Sequence, residues 1–255
     1  MNFHTATSSI DEKEVNKFSI LARTNEWWNP NGALKTLHHI NPTRMEYITE
    51  QVINHFGNKN DASLSKYQPF KGLKILDVGC GGGLVSECLA RLGADSVLGL
   101  DASSDNIMIA RTHNTGLENL SYIHSTVEKL EREQQELFDC IVSLEVVEHV
   151  ANAETFIQSL SKLLKPNGLL IMSTMNRTPK SYLYTIAMAE YVLGLVPRGT
   201  HEWRKYVTPQ EMTIFFNRAG LKLSDIEGMQ YDPLSNKATM GGDVDVNYIV
   251  SAIKQ

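Results

Sequence analysis

Two carboxylates and an imidazole crowd the stretch Ser143-Leu144-Glu145-Val146-Val147-Glu148-His149-Val150, where Glu145, Glu148 and His149 stand at i, i+3 and i+4. On a helix those offsets would turn all three toward one face. The set suits a divalent ion: the carboxylates favour Mg²⁺ or Mn²⁺, and the imidazole also admits Zn²⁺, Co²⁺ or Fe²⁺. The chemistry would be activation of a weakly acidic hydroxyl. A phenol ionises only near pH ~10, and a bound Lewis acid lowers that value while fixing the oxygen in place. His149 acting as a general base without metal is a second reading. A solvated helix start, where Glu is favoured by the dipole, is the third.

A second constellation is Ile75-Leu76-Asp77-Val78-Gly79-Cys80-Gly81-Gly82-Gly83, followed 22 residues beyond Gly79 by Asp101. Glycines after a strand and before a helix let a ligand lie against the backbone. An acid at the end of the next strand can accept hydrogen bonds from ribose hydroxyls. Leu84 occupies the position of the third glycine of a dinucleotide fingerprint, which speaks against a dinucleotide-dependent oxidoreductase. The Asp77-x-Gly79-x-Gly81-x-Gly83 form instead resembles the S-adenosylmethionine loop of Rossmann-like methyltransferases. That cofactor has no pyrophosphate, and Asp77 would favour its ammonium or sulfonium. A sulfonium methyl moves to oxygen far faster when the oxygen is an anion, which links the two constellations. Ser125-Thr126-Val127-Glu128 either borders the adenine or is an ordinary helix cap.

These residues need a scaffold of alternating strands and helices. Short apolar runs at 73–78, 96–100, 120–124, 138–144 and 169–174 read as strands. Helices are expected over 83–92, 103–114 (capped by Ser103 or Ser104) and 152–165, the last ended by Pro166-Asn167-Gly168. Such alternation predicts an α/β fold with a mostly parallel sheet covered on both faces, its ligand at the carboxyl ends of the strands. A helical lead-in precedes it, with a capping box at Ser9 and Glu12, a turn at Trp27 to Gly32, a second helix over 43–56 and a loop over 58–69. Beyond it lie a capped helix at Thr208-Pro209-Gln210-Glu211 and two closing strands, 221–229 and 246–253, that suit an antiparallel hairpin. The expected division is a helical cap over 1–61 and a methyltransferase domain over 62–255.

Composition narrows the class. The chain has 255 residues, 42% of them hydrophobic and 21% charged, within ordinary globular usage. A net charge of −5 disfavours nucleic acid as a partner. Three cysteines without paired spacing fit a reducing compartment. Residues 1–10 hold no Lys or Arg and no apolar core, so no signal or transit peptide is read there.

One segment stands out. Residues 182–196 are unusually apolar but too short to span a bilayer. With Lys180, Arg198, Arg204 and Lys205 against Glu190 and Glu202, segment 180–206 carries four basic and two acidic residues inside an acidic chain. That pattern predicts contact with an anionic membrane surface. A lid over a greasy substrate channel and a helix packed on the sheet are the competing readings.

With these residues in view, the chain resembles the ubiquinone-biosynthesis O-methyltransferases from about Asp11 to its C-terminus. The likeness rests on Phe18, Trp27-Trp28, Leu37-His38, Ile40-Asn41-Pro42-Thr43-Arg44, Glu145 to Val150, Asn176-Arg177-Thr178, Ala189-Glu190-Tyr191, Val196-Pro197-Arg198-Gly199-Thr200-His201 and Asp245-Val246-Asn247-Tyr248. The resemblance implies a class I S-adenosylmethionine-dependent methyltransferase with a seven-stranded sheet and an N-terminal helical cap. It implies that Arg44, Gly79, Asp101 and Leu144 contact the cofactor, Arg44 through its carboxylate. Glu145, Glu148 and His149 match the family's divalent-metal positions, with Mg²⁺ the expected ion, and 176–206 matches its lipid-contacting insertion. The implied reaction is O-methylation of a catechol hydroxyl on polyprenylated ubiquinone precursors, at two points in the pathway. A soluble phenol as substrate, or a non-catalytic role in a quinone assembly, are the alternatives. Implied surroundings are other coenzyme Q biosynthesis proteins and the matrix side of the mitochondrial inner membrane, or in a bacterium the cytoplasmic face of its inner membrane.

Overall fold

The computed structural model describes residues 9–23, 27–29, 31–32, 34–57, 68–114, 116–133, 137–184 and 202–255. The expected loop at 58–69 and the apolar segment at 182–196 therefore lie largely outside the described residues.

Among the described residues eight strands form one sheet in the order β3-β2-β1-β4-β5-β8-β6-β7. They are β1 (Lys74–Val78), β2 (Ser96–Asp101), β3 (Leu120–His124), β4 (Phe138–Leu144), β5 (Leu164–Met175), β6 (Leu221–Asp232), β7 (Lys237–Met240) and β8 (Asn247–Lys254). The first five are parallel and the last three antiparallel. The sheet thus has one strand more than the seven expected. The addition, β7, is a four-residue edge strand paired to the end of β6, too short and polar to stand out as a periodic signal. β6 and β8 do pair antiparallel, but a β6–β7 hairpin interrupts their connection.

Alternation along the strands explains the double-sided core. Ile75, Val97, Cys140 and Ile171 face a cluster built with α2 (Lys35–Phe56), α3 (Leu84–Arg91) and α4 (Ser104–His113). Leu76, Leu100, Ile141 and Met172 face the opposite cluster, built with α5 (Val127–Glu133), α6 (Ala153–Leu163) and α8 (Pro209–Arg218). The short α7 (Pro179–Ser181) follows β5, and α1 (Glu12–Arg23) opens the described chain.

Side-chain caps set several helix starts. Ser103 caps α4 and Asn152 caps α6, and Thr208 closes a capping box with Glu211 on α8. Three boundaries depart from the sequence reading. Asp11, not Ser9, caps α1, its Oδ1 accepting from Lys13 N at 3.0 Å, and Ser9 N donates instead to Glu128 Oε1 at 2.9 Å. Helix α2 starts at Lys35 and runs through Pro42. Burial of Ile40, Asn41, Thr43 and Arg44 around it outweighs the hydrogen bond that the proline removes. Pro166-Asn167-Gly168 lies inside β5 as an irregularity, with Asn167 at φ 61° and a register shift against β4.

Candidate active site

The carboxyl ends of β1, β2 and β4 converge on one cavity of about 680 Å³, within the usual range of ligand sites. Arg44, Asp77, Gly79, Gly81, Asp101, Leu144, Glu145, Glu148 and His149 all line it, so nine residues spread over a hundred positions of sequence share one space.

The glycine loop is shaped by its neighbours. Gly79 has φ 75°, and a Cβ there would lie 2.3 Å from Val146 Cγ2. Gly81 has φ 55°, and a Cβ there would meet the Trp27 indole at 2.1 Å. Only glycine satisfies both the backbone conformation and the close approach. Asp101 holds the loop from across the sheet: Oδ2 accepts from Gly81 N at 2.9 Å, and Oδ1 from Ser103 N at 2.7 Å and Asn106 Nδ2 at 3.2 Å. Three of roughly four acceptor positions of the carboxylate are thus committed to the protein. The expected double clasp on a ribose would therefore share Asp101 with the loop.

Electrostatics at this end favour a cation. Burial pushes the Asp77 carboxyl up to about 7, against the Ser86 hydroxyl donating at 2.5 Å and with the nearby Asp101 charge adding to the rise. Burial raises Asp101 also, opposed by the Ser103 and Gly81 N–H groups. Arg44 is only 4% exposed. Its Nη2 pairs with Glu145 Oε1 at 3.3 Å, yet Nε and Nη2 find no hydrogen-bond partner among the described residues. Burial lowers its pKa and Glu145 opposes. A buried guanidinium at a cavity wall, with Nη2 on Glu145 and Nε unpartnered among the described residues, could receive an anionic group.

The Glu145–His149 loop differs from the helical face expected of its spacing. Glu145 adopts φ 56°, and only Val147–His149 turns, as a single 3₁₀ turn. Each side chain consequently meets its own partner. Glu145 Oε1 accepts from Ser173 Oγ at 2.7 Å. Glu148, 2% exposed, accepts from Thr174 Oγ1 at 2.9 Å through Oε2, while buried Oε1 has no partner among the described residues. His149 Nδ1 lies 3.0 Å from Glu14 Oε2. Among the described residues no three His, Cys, Asp or Glu side chains are gathered closely enough to hold a metal ion. Burial, then the charge of Glu145, raises Glu148 to about 7. For His149 burial acts downward, but the Glu14 hydrogen bond and the surrounding carboxylates raise its pKa on balance. The same bond to His149 holds Glu14 at about 2.

Thr126 Oγ1 accepts from Lys129 N at 3.2 Å, so Ser125–Glu128 is indeed a helix cap, and it also lines the cavity. Glu14, Phe18 and Trp27 are among the lining residues that the spacing of the two constellations does not reveal. Glu14 and Phe18 lie on α1, and Trp27 lies in the turn that the sequence predicts at Trp27 to Gly32. Trp27 lies over Gly81 and Gly82, its Nε1 donating to Asn106 Oδ1 at 2.9 Å. Trp28 Nε1 donates to Gly82 O at 3.0 Å, and its ring stacks on His113 with centroids 3.4 Å apart. Partners so distant in sequence leave no local signal.

A glycine loop and an acid at adjacent strand ends, on a parallel sheet with antiparallel closing strands, define a class I methyltransferase, and the comparisons agree. A family model described as a methyltransferase domain matches residues 50–225. The magnesium protoporphyrin IX methyltransferase of Synechocystis, solved with bound SAH, shares the fold at a TM-score of 0.65 and 17% identity, over 96% of this chain and 100% of that one. The ubiquinone biosynthesis O-methyltransferase of Dinoroseobacter shibae is 44% identical over 253 residues, 98% of each chain. The mitochondrial ubiquinone biosynthesis O-methyltransferase of Arabidopsis thaliana is also 44% identical, over 98% of this chain and 76% of that protein. The chain belongs to the ubiquinone biosynthesis O-methyltransferase family, and with it to the S-adenosylmethionine-dependent O-methyltransferases.

Proposed function

We propose that this protein methylates a catechol hydroxyl on polyprenylated intermediates of ubiquinone biosynthesis, both 3,4-dihydroxy-5-polyprenylbenzoate and 3-demethylubiquinol. One observation carries the reading: the glycine loop with Asp77 and Asp101, and the Glu145–His149 loop, open on a single cavity. A methyl donor and a hydroxyl acceptor held there would meet without crossing solvent.

At the donor end, Asp77 would face the cationic part of S-adenosylmethionine, Asp101 would receive a ribose hydroxyl, and Arg44 would turn toward the carboxylate. At the acceptor end, His149 keeps Nδ1 on Glu14, so Nε2 is the nitrogen left for a cation or, in the alternative without metal, for the phenolic proton as the oxygen attacks the sulfonium methyl. To hold a divalent ion, with Mg²⁺ the first choice, Glu145, Glu148 and His149 would have to draw together from the separate partners they meet here. Glu148 Oε1, buried and without a partner among the described residues, suits such an ion, and the oxygen-rich donor set favours a hard one. Such an ion supplies Lewis acidity that lowers the pKa of the catechol.

Segment 180–206 would meet the anionic membrane surface where the lipid-tailed substrate resides. Tyr182, Leu183 and Tyr184 are each just over half exposed at its described edge, and no helix among the described residues is long and apolar enough to cross a membrane. The proposed setting is the matrix face of the mitochondrial inner membrane, or the cytoplasmic face of a bacterial one, beside other coenzyme Q biosynthesis proteins.

The deciding experiment is methyl transfer to a short-chain prenylated catechol, with and without chelator, read by mass spectrometry. Transfer that stops in chelator and returns with Mg²⁺ is expected. Full activity in chelator would remove the metal, and transfer only to unprenylated phenols would remove the lipid substrate.

A further inference from the structure

Helix α1 brings a carboxylate to the acceptor end of the cavity. Glu14 Oε2 lies 3.0 Å from His149 Nδ1, across 135 residues of sequence. Its other oxygen is held by Lys17 at 2.8 Å and faces Lys205 at 3.6 Å. Phe18, the next turn of the same helix, meets the imidazole edge-on, with ring centroids 5.0 Å apart and planes at 85°. Glu14, Phe18 and His149 all line the cavity. The imidazole is therefore clamped on two sides by one helix.

A carboxylate accepts hydrogen bonds and donates none. A neutral imidazole facing it must carry its proton on Nδ1 and present the lone pair on Nε2. Which nitrogen is free decides what a histidine can do, and the partner of the other nitrogen decides which is free.

We propose that Glu14 is the positioning residue of His149: it fixes the Nδ1–H tautomer and, with Phe18, the plane of the ring, so that the Nε2 lone pair is the atom offered to the substrate hydroxyl or to a cation. The inference rests on the acceptor-end role given to His149 above. It makes α1 part of the active site rather than a cover. It also ties the site to the substrate-side segment, because Lys205 bridges Glu14, Asp11 and Glu202 at the end of that segment.

The test is ¹⁵N NMR of the protein, titrated upward in pH until the His149 signals stop moving and the imidazole is neutral, with the His149 signal assigned by its loss in His149→Gln. In the unmodified protein His149 should show a protonated Nδ1 and an unprotonated Nε2. In Glu14→Ala the proton should move to Nε2, kcat should fall ~10–100-fold, and the Kd for S-adenosylmethionine should stay within about twofold. Glu14→Gln breaks both lysine ion pairs, and its amide can accept from Nδ1–H or, with its oxygen left on the lysines, donate to Nδ1. kcat should be kept where the Nδ1–H tautomer is kept and fall where it is lost, a correlation that a role confined to docking α1 would not produce. An Nε2–H tautomer in the unmodified protein would overturn the proposal, and that spectrum decides even if Glu14→Ala fails to fold. A tautomer or a kcat indifferent to Glu14→Ala would overturn it equally. Full turnover in His149→Gln would instead sink the role of His149 while leaving the tautomer assignment standing.

Discussion

Asp101 shows how one side chain serves structure and ligand together. Its carboxylate gathers the N–H groups of Gly81 and Ser103 and the amide of Asn106, and so shapes the loop on which a cofactor would rest. Asp101→Ala should raise the Kd for S-adenosylmethionine at least ~10-fold, about 1.4 kcal/mol, by titration calorimetry; an unchanged Kd would dissociate this acid from the cofactor. Asp77 offers a pH test. Burial raises its carboxyl to about 7, so folding favours the protonated form. That contribution to stability is complete below about pH 4 and is lost as pH rises toward 7. A bound sulfonium and ammonium would favour the ionised form instead. The rise in Tm given by saturating S-adenosylmethionine should therefore be larger at about pH 8 than at about pH 5. A rise independent of pH would place the cationic end away from Asp77.

Among the elements, the Trp27–Trp28 turn acts as a cover for the strand ends. The turn is anchored at four points: Trp27 on Asn106, Trp28 on Gly82 O and on the His113 ring, and His38 Nε2 on Trp27 O at 2.7 Å. Because the Trp27 indole touches the glycine loop, cofactor binding should change tryptophan fluorescence, and Trp27→Phe should abolish most of that change. A change that survives in Trp27→Phe would assign it to Trp28 or Trp203. Gly81→Ala should weaken cofactor binding at least ~10-fold, since its φ of 55° strains an alanine and the new Cβ would collide with the indole.

The whole molecule is acidic, with a net charge of −5, yet carries basic residues around its most apolar stretch. If that stretch meets lipid, the protein should sediment with vesicles containing anionic phospholipid and less with neutral ones, and salt should release it. Leu193→Asp with Val196→Asp should weaken the binding, whereas undiminished sedimentation would end the interfacial role of 180–206. Methyl transfer to a water-soluble catechol should be nearly unaffected by that pair, which separates membrane docking from catalysis.

The sequence by itself determined the architecture and the location of the site. Apolar runs of strand length, helix caps and a glycine loop are local signals, each written within a few residues, and β3 and β4 fall where their apolar runs place them. Tertiary structure decided what the spacing of Glu145, Glu148 and His149 could not. Spacing fixes a face only if the chain is helical, and the left-handed Glu145 and a single 3₁₀ turn sent the three side chains to Arg44 and Ser173, Thr174, and Glu14. The passage of α2 through Pro42, the edge strand β7 and the indole over Gly81 likewise arise from burial against distant segments. Hydrogen bonds and packing between residues far apart in sequence depend on the folded path of the chain, and only that path places α1 against the imidazole.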